Sequence, residues 1–166
     1  MLWMAQKKQL DNKEKSLSFS QGVIDMMPLS ISVLPWGILA GSVAIQAGLS
    51  VSQAIAMSAI VFAGAAQLVS LGMVMSGASV ITIFFTIFLI TSQHFIYALT
   101  LRLNIAPLSL KDRLPLGFLL TDELFAVAIS KLDRNKKYLL GAGLSFYIAW
   151  VLFSVLGIYL ASTVPN

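Results

Sequence analysis

The chain has 166 residues, of which 58% are hydrophobic and 11% charged, with a net charge of +4 and no cysteine. Without cysteine there are no disulfides, zinc–thiolate centres or thiol nucleophiles, and a mean hydropathy of +0.87 lies far from soluble averages. From Met26 to Leu101 not one Asp, Glu, Lys or Arg occurs, and no soluble domain of this size can leave so long a stretch without surface charge.

As helix, at roughly 1.5 Å per residue, that stretch would cross a ~30 Å hydrocarbon core about three times. The chain therefore reads as an all-α, polytopic integral membrane protein with about five apolar segments, some broken or re-entrant. Its lysines and arginines cluster at segment ends, where they set topology and meet lipid headgroups; they are not a nucleic-acid signal.

Residues 1–20 read as a polar cytoplasmic arm carrying Lys7, Lys8, Lys13 and Lys15. The apolar start at Met1 is too short for a signal peptide. Residues 21–166 form the transmembrane helical domain. Its first apolar segment, 24–47, holds Pro28 and Pro35, and a kink or break is expected at 35–37 because proline removes a donor and clashes with the preceding turn. A turn at 48–50 leads to a second segment, 51–75, and a third, 80–101, closes at Arg102. Residues 104–115 read as a loop with Lys111 and Arg113. The fourth segment, 114–130, is short and has Asp122 and Glu123 at its middle. A second basic loop, with Lys131, Arg134, Lys136 and Lys137, precedes the last segment, 138–161, which Pro165 stops.

Five full crossings from a cytoplasmic N-terminus would put the 131–137 loop inside. They would also put Arg102, Lys111 and Arg113 outside, against the positive-inside rule. Something in the first 101 residues is therefore expected not to be a simple span, and the path of residues 51–130 stays open. A broken or re-entrant helix, tolerated where protein or a wet cavity covers it, would restore the balance.

Three groups of residues could carry chemistry. A carboxylate at mid-membrane costs about 2.5–3.5 kcal/mol on insertion scales, so Asp122 and Glu123 either face a cavity or sit on an interfacial helix in water. Thr121 could cap a half-helix that starts here, with both acids in its first turn complementing the dipole. His94 and Tyr97 share a helix face; the histidine is either a packing or interfacial residue, or a proton relay partnered by Asp122 or Glu123. Gly37 and Gly41 form a GxxxG pair after Pro35, and Gly64 and Gln67 lie in a stretch of small residues. These permit close helix packing, or an unwound turn whose backbone meets a zwitterion, with the Gln67 amide as a further partner. No nucleotide loop, metal-ligand spacing, GxSxG or second histidine occurs, so neither enzyme, cofactor nor metal is expected.

The order Pro35-x-Gly37-x-x-x-Gly41, Phe62-Ala63-Gly64-Ala65-Ala66-Gln67, His94-x-x-Tyr97, Thr121-Asp122-Glu123, then Trp150 with Gly157 resembles the AzlC family. These YgaZ-type proteins are large subunits of bacterial branched-chain amino-acid exporters, and the resemblance covers about residues 19–166. It implies a secondary transporter in the bacterial cytoplasmic (inner) membrane that exports leucine, isoleucine, valine and methionine with a small AzlD-type membrane subunit. Substrate-binding residues would be Pro35, Gly37, Gly41, Phe62, Gly64 and Gln67; proton-coupling residues would be His94, Tyr97, Asp122 and Glu123. The chain has Thr91-Ser92-Gln93-His94 where the family usually shows Asn-x-Arg-His, so transport would need another cation. Family members are also longer, which implies a chain incomplete relative to them. The competing readings are a non-transporting scaffold subunit and a small channel. Small-residue faces exceed what five segments can bury among themselves, so a small membrane partner or a homo-oligomer is expected.

Overall fold

The computed structural model of the chain describes residues 18–131 and 135–163, and their regular structure is helical throughout. The arm 1–17, Arg134 and Pro165 lie outside the described residues.

Helix α1 (Phe19–Ser32) begins where the Ser18 hydroxyl accepts the Gln21 amide at 3.2 Å, an N-cap that satisfies one otherwise orphaned donor. Helix α2 (Leu34–Gln46) follows after Val33, and the pair is bent by 56°. The bend precedes the expected position at 35–37. The Pro35 ring clashes with the turn before it, so the break falls within that turn. Gly48, at φ +85°, makes the next reversal. A capping box between Ser50 and Gln53 then starts α3 (Val51–Val61), and α4 (Gly64–Met75) resumes after two non-helical residues. Helices α5 (Val80–Thr91) and α6 (Gln93–Thr100) run on as one apolar stretch, and α7 (Arg102–Ile105) and α8 (Leu110–Phe118) follow. Helix α9 (Asp122–Ile129) and the 28-residue α10 (Lys136–Thr163) complete the order.

Val80–Thr100 and Lys136–Thr163 are long and apolar enough to cross a membrane, and the bent α1–α2 pair makes a third candidate. Helices α3 and α4 have 11 and 12 residues, about 17 Å each at ~1.5 Å per residue, so either reaches only about halfway through a ~30 Å core.

Helix α10 is the axis around which α1 and α2 pack, and glycines set that contact. A Cβ on Gly22 would lie 2.2 Å from the Tyr138 carbonyl oxygen, and one on Gly141 would lie 2.1 Å from that of Phe19. Along α2, a Cβ on Gly41 would lie 2.0 Å from the Ser154 oxygen, and one on Gly157 would lie 2.1 Å from the Ile38 oxygen. Backbone meets backbone at these points, as small residues allow in lipid. Met26, Tyr138, Ala142, Phe146 and Trp150 fill the core beside them.

Two expectations are corrected. The 114–130 stretch is not one segment: Leu119–Thr121 interrupts it, between α8 and α9. The supposed loop 104–115 is partly helical, in α7 and the start of α8. Polar pairs explain the path. Lys136 Nζ lies 2.9 Å from Asp112 Oδ1, Lys131 Nζ lies 2.6 Å from Asp25 Oδ2, and the Tyr138 hydroxyl donates to Asp25 at 2.9 Å. Both ends of the 110–131 stretch are thereby tied to the same end of the molecule, where α1 and α10 begin. The stretch goes in and returns, so Lys111 and Arg113 share an end with Lys131, Lys136 and Lys137.

Candidate functional site

A cavity of about 280 Å³ lies where several of these breaks converge. That is close to the lower bound of ~300–1,000 Å³ for small-molecule pockets. Its polar lining comes from the α5–α6 joint (Thr91, Gln93, His94) and the start of α9 (Thr121, Asp122, Glu123), with Gly64, Ala65 and Ala66 opening α4. Its apolar lining comes from Val33 and Trp36 at the first bend, Phe62 and Leu68, and Phe146 with Trp150 from α10.

The acids sit where they do because the Thr121 hydroxyl accepts the Leu124 amide at 3.3 Å and starts α9. Asp122 and Glu123 then occupy the first turn, where the helix dipole favours negative charge. They are therefore at the head of a half-helix instead of the middle of a span, which is the capping arrangement. Gln93 Nε2 donates to both oxygens of Asp122, at 2.9 and 3.2 Å. His94 Nδ1 lies 2.9 Å from the Thr91 carbonyl. A carbonyl only accepts, so Nδ1 carries the proton and Nε2 is the nitrogen that can take or release one. Tyr97 meets His94 edge-on at 5.5 Å and stacks on Phe125 at 4.3 Å, joining α6 to α9.

The α3–α4 break is built by Phe62. Its φ of 37° is left-handed, which for a bulky residue is an outlier held by its surroundings. The rings of Phe118, Phe146 and Tyr147 surround it at 5.7, 6.1 and 4.9 Å. The Tyr147 hydroxyl also donates to the Ala59 carbonyl at 3.0 Å, satisfying one acceptor that the end of α3 leaves over. The start of α4 has no counterpart. Ala63 offers no capping side chain, and the first bond is Gln67 N–H to Ala63 O at 2.8 Å. The amides of Gly64, Ala65 and Ala66 make no hydrogen bond among the described residues.

The cavity thus brings together Phe62, Gly64, His94, Asp122 and Glu123. Pro35, Gly37, Gly41, Gln67 and Tyr97 are not in its lining. Gly37 and Gly41 lie against α10, and Gln67 is buried with its Nε2 donating to Ser58 Oγ at 2.9 Å. Sequence reasoning passed over Phe146 and the contact between Gln93 and Asp122. The spacing of Phe146 and Trp150, one turn apart on α10, was the available signal for an aromatic wall.

Comparison with known proteins adds the family. A family model described as "AzlC protein" matches residues 28–164. The chain is 32% identical over 153 residues to the "Inner membrane protein YgaZ" of Escherichia coli, covering 89% of this chain and 62% of that protein. It is 35% identical over 151 residues to an "Uncharacterized membrane protein" of Archaeoglobus fulgidus, covering 90% and 65%. The chain thus spans less than two thirds of the length of these curated relatives. No solved structure matches it.

Proposed function

The chain belongs to the AzlC family, and we propose that it is the large subunit of a secondary transporter that exports small apolar amino acids, the branched-chain ones and methionine, across the bacterial inner membrane. One observation carries this reading: two carboxylates and a histidine share a mostly apolar cavity of about 280 Å³ at the broken ends of helices. Intramembrane carboxylates are costly and mark substrate or proton paths. Unwound helix ends at mid-membrane are where transporters bind small zwitterions.

The roles divide by chemistry. Phe62, Phe146 and Trp150 receive the aliphatic side chain, while Asp122 or Glu123 meets the ammonium group. His94 Nε2 exchanges protons with the same carboxylates, which couples movement to the proton gradient. Substrate transport, with no bond made or broken, is the function, so the chain is not an enzyme. A small AzlD-type membrane subunit covers the α5–α6 span, in which no residue is buried.

The test is export of radiolabelled leucine from loaded proteoliposomes under an imposed proton gradient, with and without the small subunit. Asp122→Asn and Glu123→Gln should both insert, and at least one should abolish export. Full export by the double variant, or none by the unaltered complex, would reject the reading.

A further inference from the structure

We propose that the substrate reaches the cavity along the seam between α1 and α9, and that Asp25 and Lys131 at the mouth of this seam form a first binding subsite for an α-amino acid zwitterion. This rests on the transport reading above and adds to it the side and the groups by which the substrate enters.

Three observations carry it. First, a second hollow, of about 490 Å³, lies between α1 and the end of α9, lined by Asp25, Pro28 and Leu29 on one side and by Ala126, Val127 and Lys131 on the other. Second, this hollow is in register with the cavity. Asp25, Leu29 and Val33 are spaced four residues apart, as are Lys131, Val127 and Glu123, so each set lies along one helix face. The outer two of each set line the hollow, and Val33 and Glu123 line the cavity. From mouth to cavity is two helical turns, about 11 Å. Third, the mouth is closed by groups that match the ligand. Lys131 Nζ lies 2.6 Å from Asp25 Oδ2, and the two side chains keep 32% and 17% of their surface exposed. Ion pairs this exposed are weakly held.

A carboxylate and an ammonium are the complement of an amino acid's own two ends. An incoming zwitterion can put its ammonium on Asp25 and its carboxylate on Lys131, exchanging one ion pair for two. Asp25 is prepared for that exchange. Gln21 Nε2 donates to its Oδ1 at 2.7 Å and the Tyr138 hydroxyl to its Oδ2 at 2.9 Å, so the carboxylate stays oriented when Lys131 turns away. The aliphatic side chain then lies on Leu29 and Val127, one turn from Glu123. The mouth shares its end of the molecule with Lys111, Arg113, Lys136 and Lys137. The positive-inside rule turns that end to the cytoplasm, as export requires.

The chain has no cysteine, so Val127→Cys places a single thiol in the seam. Its alkylation by N-ethylmaleimide is followed in the full chain in phosphatidylcholine nanodiscs, with leucine, 4-methylpentanoate or 3-methylbutylamine present. Leucine should slow alkylation. The two analogues should need concentrations about tenfold higher or more, since each leaves one partner of the pair unmatched. Lys131→Met should speed alkylation of the empty chain and raise the leucine concentration for half-protection by a similar factor, whereas Lys131→Arg should keep protection. Should Lys131→Met fail to insert, Asp25→Asn takes its place, with the same loss of protection expected. Asp122→Asn/Glu123→Gln disables the inner cavity, so protection should persist in that background and report the mouth alone. Leucine that never protects the thiol, or protects equally after Lys131→Met, would overturn the subsite and leave the transport reading standing. Protection lost in Asp122→Asn/Glu123→Gln would place the ligand in the inner cavity only and overturn it as well. Alkylation blocked by adding phosphatidylethanolamine, whose headgroup carries the same two charges, would give the groove to lipid and overturn the assignment. Protection at the mouth without leucine export by the complex would uphold the subsite and sink the transport reading.

Discussion

Replacing Gly41 by alanine tests whether the α2 glycines serve packing. An added Cβ would sit 2.0 Å from the Ser154 carbonyl oxygen and 2.7 Å from the Ile158 nitrogen. Both are backbone atoms of α10, so no rotamer change relieves the clash. To regain an ordinary 3.4 Å contact with the oxygen, α2 must retreat by about 1.4 Å (3.4 − 2.0). A gap of even 0.5–1 Å forfeits roughly a quarter to a half of each dispersion contact along the seam, and overpacking of this kind costs about 1–3 kcal/mol. Alanine recovers about 1 kcal/mol of helix propensity over glycine, so the net loss should be up to about 2 kcal/mol, toward the top of that range because the clash is with backbone that cannot rotate away. Gly72→Ala is the control: its Cβ meets nothing within 4 Å, so that variant should gain up to about 1 kcal/mol. Equilibrium unfolding in mixed micelles reads both. Because Gly157 lies in the same seam, against Ile38, the double variant Gly41→Ala/Gly157→Ala should cost less than the sum, since one retreat accommodates both. A Gly41→Ala chain as stable as the parent would refute the packing argument.

Other outcomes follow from named contacts. Tyr147→Phe removes the donor to Ala59 and should cost about 1 kcal/mol by the same unfolding measurement; no loss would mean that the α3 carbonyl finds another donor. The hydrogen bond from Lys136 holds the Asp112 carboxyl below its ordinary range. A lowered carboxylate stabilises above its unfolded value and loses that contribution as pH falls through the folded one. Lys136→Met should therefore move the Asp112 carbon-13 titration midpoint up and flatten the acid limb of the stability curve below about pH 4; an unmoved midpoint would contradict the pair. His94→Gln keeps a donor for the Thr91 carbonyl but cannot titrate, so export should lose its dependence on the imposed proton gradient; gradient-driven export at the parent rate would remove His94 from the coupling path.

Much of this was legible in the residues. The uncharged run from Met26 to Leu101 sufficed for a helical membrane protein, and Pro35 marked the first bend to within two residues. Thr121 before Asp122 and Glu123 announced a helix start. What periodicity could not convey was which apolar stretches turn back. Residues 114–130 look like a short span, and only the pairs Asp112–Lys136 and Asp25–Lys131 disclose a hairpin. Gly37 and Gly41 were readable as packing or as substrate contact, because a missing side chain serves either end equally. The uncapped start of α4 was hidden for a different reason: Ala63 is unremarkable as a residue, and what marks the break is that the Gly64, Ala65 and Ala66 amides make no hydrogen bond among the described residues.

The seam between α10 and the α1–α2 pair also limits how the molecule can move. Four glycine notches each receive a backbone carbonyl from the facing helix, at Gly22, Gly41, Gly141 and Gly157. A carbonyl seated in a notch resists sliding, since one residue of travel would drive it into a neighbouring side chain. These three helices should therefore behave as a fixed frame. The hairpin of α8 and α9 and the halves α3 and α4 meet α10 mainly through side chains and single hydrogen bonds, so rearrangement there is cheaper. If the cavity opens alternately to the two sides of a membrane, the frame is the stator, and the helix halves carrying Gly64 and Asp122 are the parts that swing.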